Sequence, residues 1–174
     1  CKFEDEDRFD ESASLRIEHF NDKVQQTLVS AEYGWNIQYF CGTEGGQFEG
    51  FNLYAAIDAN GSVLMAGNHR LLRDGNAGKY TEYRSLYSLL EEDGPVLAFN
   101  SWNDIMTVFA DPVDPAKAPG EIVNDGQGMA GDYNFIIESC SDNEITLIGQ
   151  RYRARVRMIR CDQPWQDNIA AISK

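Results

Sequence analysis

Histidine is nearly absent from this chain, with two among 174 residues, and cysteine is scarce at four. A serine or cysteine hydrolase sets its nucleophile against a base, commonly histidine. Here only His19 and His69 are available, and no G-x-S-x-G elbow is present. Cys1, Cys41, Cys140 and Cys161 form no C-x-x-C pair and no Cys/His cluster, so structural zinc at the usual spacings is excluded. Positive charge is also short. Fifteen Lys and Arg face 28 Asp and Glu, for a net charge of −13; a duplex-binding protein needs the reverse balance to neutralise phosphates. No apolar run approaches the ~20 residues of a membrane-spanning helix. The glycine-rich Gly42–Gly46 stretch lacks the Lys-Ser/Thr of a phosphate-cradling loop. Arg73–Gly78 resembles a calcium loop only superficially: counted from Asp74, the twelfth position holds Ser85 in place of Glu. The reading therefore predicts no nucleic-acid partner, no cofactor, no metal ligands and no catalytic residues.

What is present is an ordinary globular composition, 43% hydrophobic and 25% charged. A chain of this length buries roughly 70% of its unfolded surface as one domain without needing a disulfide or a metal. Cys1 is followed by Lys2-Phe3-Glu4-Asp5-Glu6-Asp7, then Asp10 and Glu11. Such a run is too charged to pack, so residues 1–11 are expected to be a flexible acidic tether and 12–174 a single globular domain. An amino-terminal cysteine is also what bacterial lipoprotein maturation leaves after the signal peptide is removed, which makes Cys1 the expected lipidation site.

From Ser12, a plausible N-cap, Ile17, Phe20, Val24, Leu28 and Ala31 recur at three- and four-residue steps, one apolar stripe of an amphipathic helix that ends before Gly34. Trp35, Ile37 and Tyr39 then alternate with polar residues as a strand. Phe51–Ile57 and Ser62–Ala66 flank Ala59-Asn60-Gly61, a strong hairpin signal. Tyr80–Leu90 fits strand or helix; Gly94-Pro95 ends it, and Val96–Phe99 reads as a short buried strand. Trp102–Phe109 suggests a short helix or turn, Ala110–Ala130 a long proline- and glycine-bearing loop, and Pro164 the first turn of a closing helix.

The clearest β pattern runs from Gly131 to Cys161. Tyr133, Phe135 and Ile137 are read as facing inward, with Asp132, Asn134 and Glu138 outward. Ser141-Asp142-Asn143 turns the chain, Ile145, Leu147 and Gly149 keep the alternation, and Tyr152, Ala154, Val156 and Met158 alternate with Arg151, Arg153, Arg155 and Arg157. Cys140 and Cys161 would lie two strands apart, roughly 10 Å, and are expected to be free thiols. The fold predicted is β-dominated α+β: an antiparallel meander sheet, curled or partly closed into a barrel, with an N-terminal helix and a short C-terminal helix.

Like charges two apart on one strand face repel unless acids or a ligand compensate them, and Glu144 is placed to meet Arg155 or Arg157. Arg153, Arg155 and Arg157 are thus either a solvent face paired with acids or a site for a carboxylate, a phosphate or an acidic protein. Trp35, Tyr54, Trp102 and Tyr152 are candidate platforms for a glycan or peptide ligand, against the alternative that they are core.

Several motifs stand in a recognisable order: Gly34-Trp35 with Tyr39-Phe40 and Gly45-Gly46; Gly94-Pro95-Val96-Leu97 with Phe99-Asn100 and Asp111-Pro112; Gly131-Asp132-Tyr133 with Phe135; and Ile145 with Leu147 and Gly149. In that order they resemble a Bacteroidetes outer-membrane lipoprotein family of unknown function found in uptake loci of the starch-utilisation type. The acidic run after Lys2 likewise resembles the tag that sends such lipoproteins to the cell surface. The sequence departs from the family pattern at Met106 and Thr107, where members often carry His; many members are longer, and the resemblance therefore implies that this chain is an amino-terminal domain. The resemblance implies a lipid-anchored, surface-exposed protein of the outer membrane beside uptake-complex proteins. The function expected is non-enzymatic binding of a nutrient or partner; the alternative is a hydrolase acting on glycan or peptide.

Overall fold

A computed structural model of the chain describes residues 13–40, 50–69, 72, 75–92, 94–101, 103, 105–106 and 132–166. The expected tether with Cys1, the Ser12 cap, Cys41 with the Gly42–Gly46 loop, Trp102, the Ala110–Ala130 loop and the closing helix beyond residue 166 all lie outside the described residues.

Helix α1 spans Ala13–Val29 and is followed by nine strands: β1 Trp35–Phe40, β2 Gly50–Ile57, β3 Ser62–Gly67, β4 Thr81–Leu86, β5 Ser88–Glu91, β6 Pro95–Ala98, β7 Asn134–Cys140, β8 Glu144–Gly149 and β9 Arg155–Arg160. Every neighbouring pair is antiparallel, and the strands form one sheet in the order β4-β3-β2-β1-β9-β8-β7-β6-β5. Two meanders, β1 to β4 and β5 to β9, are joined where the first strand pairs with the last. The sheet is curled into a half-barrel. Its edge strands β4 and β5 are consecutive pieces of one extended segment with only Tyr87 between them. At that corner the Asn100 amide donates to the Leu86 carbonyl at 3.1 Å, so the chain after β6 reaches across the seam.

The period-two pattern is realised as burial. Trp35, Ile37 and Tyr39 on β1 meet Leu53 and Ala55 on β2 and Val156 and Met158 on β9, all facing one core. The helix stripe lays Phe20, Val24 and Leu28 onto that core, where α1 packs on β5, β6 and β2. Each large apolar side chain so buried contributes about 1.5–3 kcal/mol relative to exposure. Asn21 on the same helix donates to the Leu90 carbonyl at 3.0 Å, a polar tie between α1 and the edge strand β5. The helix gives way to β1 through Gly34, whose φ of 73° suits a left-handed exit.

The β2–β3 hairpin forms as expected, although only Gly61 takes a positive φ, 92°. Asn60 contributes its side chain instead, accepting from the Ser62 amide at 3.1 Å. Tyr80–Leu90 resolves as strand. In the short stretch after β6, buried Asn103 accepts from the Ile105 amide at 2.8 Å and donates to Ser85 Oγ at 2.9 Å, forming a side-chain-capped turn.

The three-strand unit is present, with three corrections. Asp132 is buried and Tyr133 is 46% exposed, the reverse of the alternation expected, because β7 begins only at Asn134. A register shift between Ile137 and Ser139 on β7 changes the phase, so that Cys140 returns to the core. The run of four alternating arginines is not one strand, since Arg151 and Arg153 belong to the β8–β9 turn and only Arg155 and Arg157 stand on the outer face of β9. Cys140 and Cys161 are free thiols, as expected.

Candidate functional site

Asp132, just before β7, organises the end of the half-barrel that carries the β8–β9 turn. Its main chain is held by Tyr39 of β1: the buried Tyr39 hydroxyl donates to the Asp132 carbonyl at 2.6 Å and accepts from the Asp132 amide. Its carboxylate accepts from the backbone of the β8–β9 turn. Oδ1 takes the amides of Arg151 at 2.9 Å and Tyr152 at 3.1 Å, and Oδ2 takes those of Tyr152 and Ala154, each at 3.1 Å. A buried carboxylate is tolerated when its lone pairs are filled in this way. The carboxylate lies directly over Gly149, where any Cβ would overlap its carboxyl atoms. A glycine at an inward position of an alternating strand marks close approach of another group, and Gly149 is the signal in the sequence that could have revealed Asp132.

Drawing three amides onto one carboxylate fixes the turn, and Arg153 inside it adopts φ 62°, the one positive-φ residue other than glycine among those described. An L-residue in this region costs about 1–2 kcal/mol. Arg153 is exposed and stands over a cleft of about 270 Å³ that it lines with Gly94, Val96, Ile136 and Gln150. Gln150 donates its side-chain amide to Glu92 Oε1 at 2.9 Å across the mouth.

The other candidates are dispersed. Trp35 is fully buried, its indole N–H given to the Leu28 carbonyl at 3.0 Å and its ring covered by the Arg160 guanidinium at 5.0 Å. Tyr54 is buried beneath Trp165, ring centroids 5.7 Å apart, and burial pushes its phenol above the ordinary range, with Cys161 adding to the effect. Trp165 is pinned in turn by donation to the Tyr80 hydroxyl at 2.9 Å. Tyr152 is half-buried in the turn with Arg151 4.9 Å over its ring. Arg155 pairs with Glu138 at 3.5 Å and Arg157 with Glu144 at 2.6 Å, the latter partner as expected. The hydrogen bond from Arg157, with its charge, holds the Glu144 carboxyl below the usual range. Of the residues singled out in the sequence, Arg153 and Tyr152 share one turn; Trp35 and Tyr54 are in or under the core.

Elsewhere, buried His69 bonds the Ile105 carbonyl at 2.8 Å and sits edge-on to Phe51. Among the described residues no group of three or more His, Cys, Asp or Glu is arranged to hold a metal, and no helix is long and apolar enough to cross a membrane.

The model of the family described as Domain of unknown function (DUF4302) matches residues 5–174, and the chain belongs to that family. No curated protein matches it significantly. Among solved structures it is similar to an uncharacterized protein from Bacteroides eggerthii DSM 20697 at 13% identity and a TM-score of 0.37, covering 75% of this chain and 100% of that one. A likeness of that size carries no argument about function.

Proposed function

We propose that this member of the family is a non-enzymatic lipoprotein, anchored in the outer membrane through Cys1 and exposed at the cell surface, where it binds a nutrient or a partner protein as an accessory of an uptake system. The anchor and the uptake setting rest on the resemblance carried by the ordered motifs and on the Cys-Lys-acidic run at residues 1–7. The observation that supports binding over chemistry is how the buried ionisable groups are used. Asp132 is occupied by turn amides and His69 by a main-chain carbonyl, while Arg153 is presented to solvent over a cleft. Asp132 and His69 are thereby committed to holding the fold, whereas proton transfer needs a base free to exchange its proton with substrate.

The test is fractionation of cells making the protein from its native precursor, with palmitate labelling. The expected result is label on the protein and recovery with outer membranes, both lost in Cys1→Ser. An unlabelled protein found free in the periplasm would refute the anchor.

A further inference from the structure

The described arginines fall into two groups. Arg84, Arg155 and Arg157 pair with carboxylates, Arg151 and Arg160 cover aromatic rings, and Arg160 also donates to the Asp142 carbonyl and Ser30 Oγ. Arg16 has a partner as well. Among the described residues, Arg153 is the arginine whose guanidinium has no such contact, and it is also the one placed in the left-handed region. Backbone strain at a bulky residue persists only where the surroundings enforce it. Here the Asp132 carboxylate does so by gathering the amides on either side, those of Tyr152 and Ala154.

The space below Arg153 has the character of a small amphipathic site. Buried Val96 and half-buried Ile136 line it with hydrocarbon, and the space beside the Gly94 Cα is open. The Gln150 side-chain amide gives one N–H to Glu92, and its carbonyl oxygen is an acceptor at the rim. The volume of about 270 Å³ is just under the usual range for drug-sized ligands and suits a compact one. A planar guanidinium above an apolar pocket matches a carboxylate in two parallel hydrogen bonds, with the ligand's carbon body below.

We propose that this cleft binds a small monocarboxylate with an apolar body, the carboxylate on Arg153 and the body against Val96 and Ile136. The inference rests on the binding reading above and narrows it to one ligand chemistry. Salt confines repulsion from the chain's net charge of −13 to about 10 Å at 0.1 M, and within that range the Glu92 carboxylate bonded to Gln150 opposes an anion, so binding depends on the Arg153 fork.

Benzoate is the probe, with benzamide as its uncharged counterpart, titrated into ¹⁵N-labelled full chain and followed by amide shifts. The expected result is saturable benzoate shifts centred on Gly94, Gln150 and Arg153, with benzamide at least tenfold weaker. Arg153→Gly, which accepts the same backbone without strain, should melt no lower than the unmodified protein yet bind benzoate at least tenfold more weakly. Arg153→Lys, a cation without the fork, should fall between. Equal responses to benzoate and benzamide, shifts centred elsewhere, no saturable shift, or a folded Arg153→Gly with unchanged affinity would each overturn the proposal. Failure here leaves the Cys1 fractionation untouched, and failure there leaves this titration untouched.

Discussion

Replacing Asp132 by asparagine keeps the side chain's size and removes its charge, and the structure says what that costs. Four contacts from three backbone amides converge on the two carboxylate oxygens. An asparagine offers one oxygen. The Tyr152 amide, which reaches both positions, keeps a partner either way; the amide of Arg151 or of Ala154 then faces an NH₂ group. A hydrogen bond to a charged acceptor contributes about 1.5–3 kcal/mol net, and a buried donor left unmatched adds its desolvation, so Asp132→Asn should cost about 2–3 kcal/mol. Asp132→Ala strands all three amides and should cost about 4 kcal/mol, less than three separate losses because water can enter a vacated carboxylate site. With a urea m-value of about 2 kcal/mol/M, the Asn variant should unfold at a midpoint about 1–1.5 M lower. The amides of Tyr152 and Ala154 should lose hydrogen-exchange protection before those of β7. A midpoint within ~0.2 M of the unmodified protein, with both amides still protected, would refute the assignment of Asp132 as the clasp of this turn.

Three further expectations follow from the same geometry. Gly149→Ala should lower the melting temperature far more than the ~1 kcal/mol of an ordinary glycine substitution, because the new methyl falls on the Asp132 carboxylate; a shift under 2 °C in thermal unfolding would contradict the close approach. Cys161 is half-buried, and burial, with the nearby Asp162 carboxylate, pushes its thiol up to about 11. Iodoacetamide at pH 8 should therefore modify it roughly 10–100-fold more slowly than a free thiol, with a rate still climbing above pH 9. Because the fold keeps this thiol protonated where the unfolded chain ionises, stability should fall as pH rises from ~8.5 towards 11. Glu144→Gln removes an exposed ion pair and should leave the urea midpoint unchanged at neutral pH; a clear drop would mean that the Arg157 contact holds β8 to β9.

Much of the architecture was legible because it is periodic and local. Trp35-Ile37-Tyr39, the Asn60-Gly61 turn and the Phe20-Val24-Leu28 stripe each carry their structure in spacing, and each appears where expected. Tyr80–Leu90 was ambiguous because Tyr83, Leu86, Tyr87 and Leu90 stand at helical steps while the segment forms two strands around Tyr87. Non-local relations were hidden. Nothing near Trp35 announces that β1 lies beside β9, and that pairing sets the strand order of the sheet. The inward side chain of Asp132 runs against the rule that polar residues face outward; its carboxylate's partners lie 19 to 22 residues away in the chain, and Tyr39, which holds its main chain, lies 93 away. The arginine run looked continuous because Ala154, Val156 and Met158 keep period two on paper. The turn that interrupts it is imposed by Asp132, and arginine gives no hint of a left-handed backbone.

The proposed function requires the domain to stand on the outside of the cell. Protease shaving of intact cells carrying the native protein tests that claim directly. The account predicts that brief proteolysis of unbroken cells removes the domain while a periplasmic marker survives, and that Cys1→Ser protects it until the outer membrane is opened. A native protein that stays intact on unbroken cells, and is cut only after lysis, would contradict it.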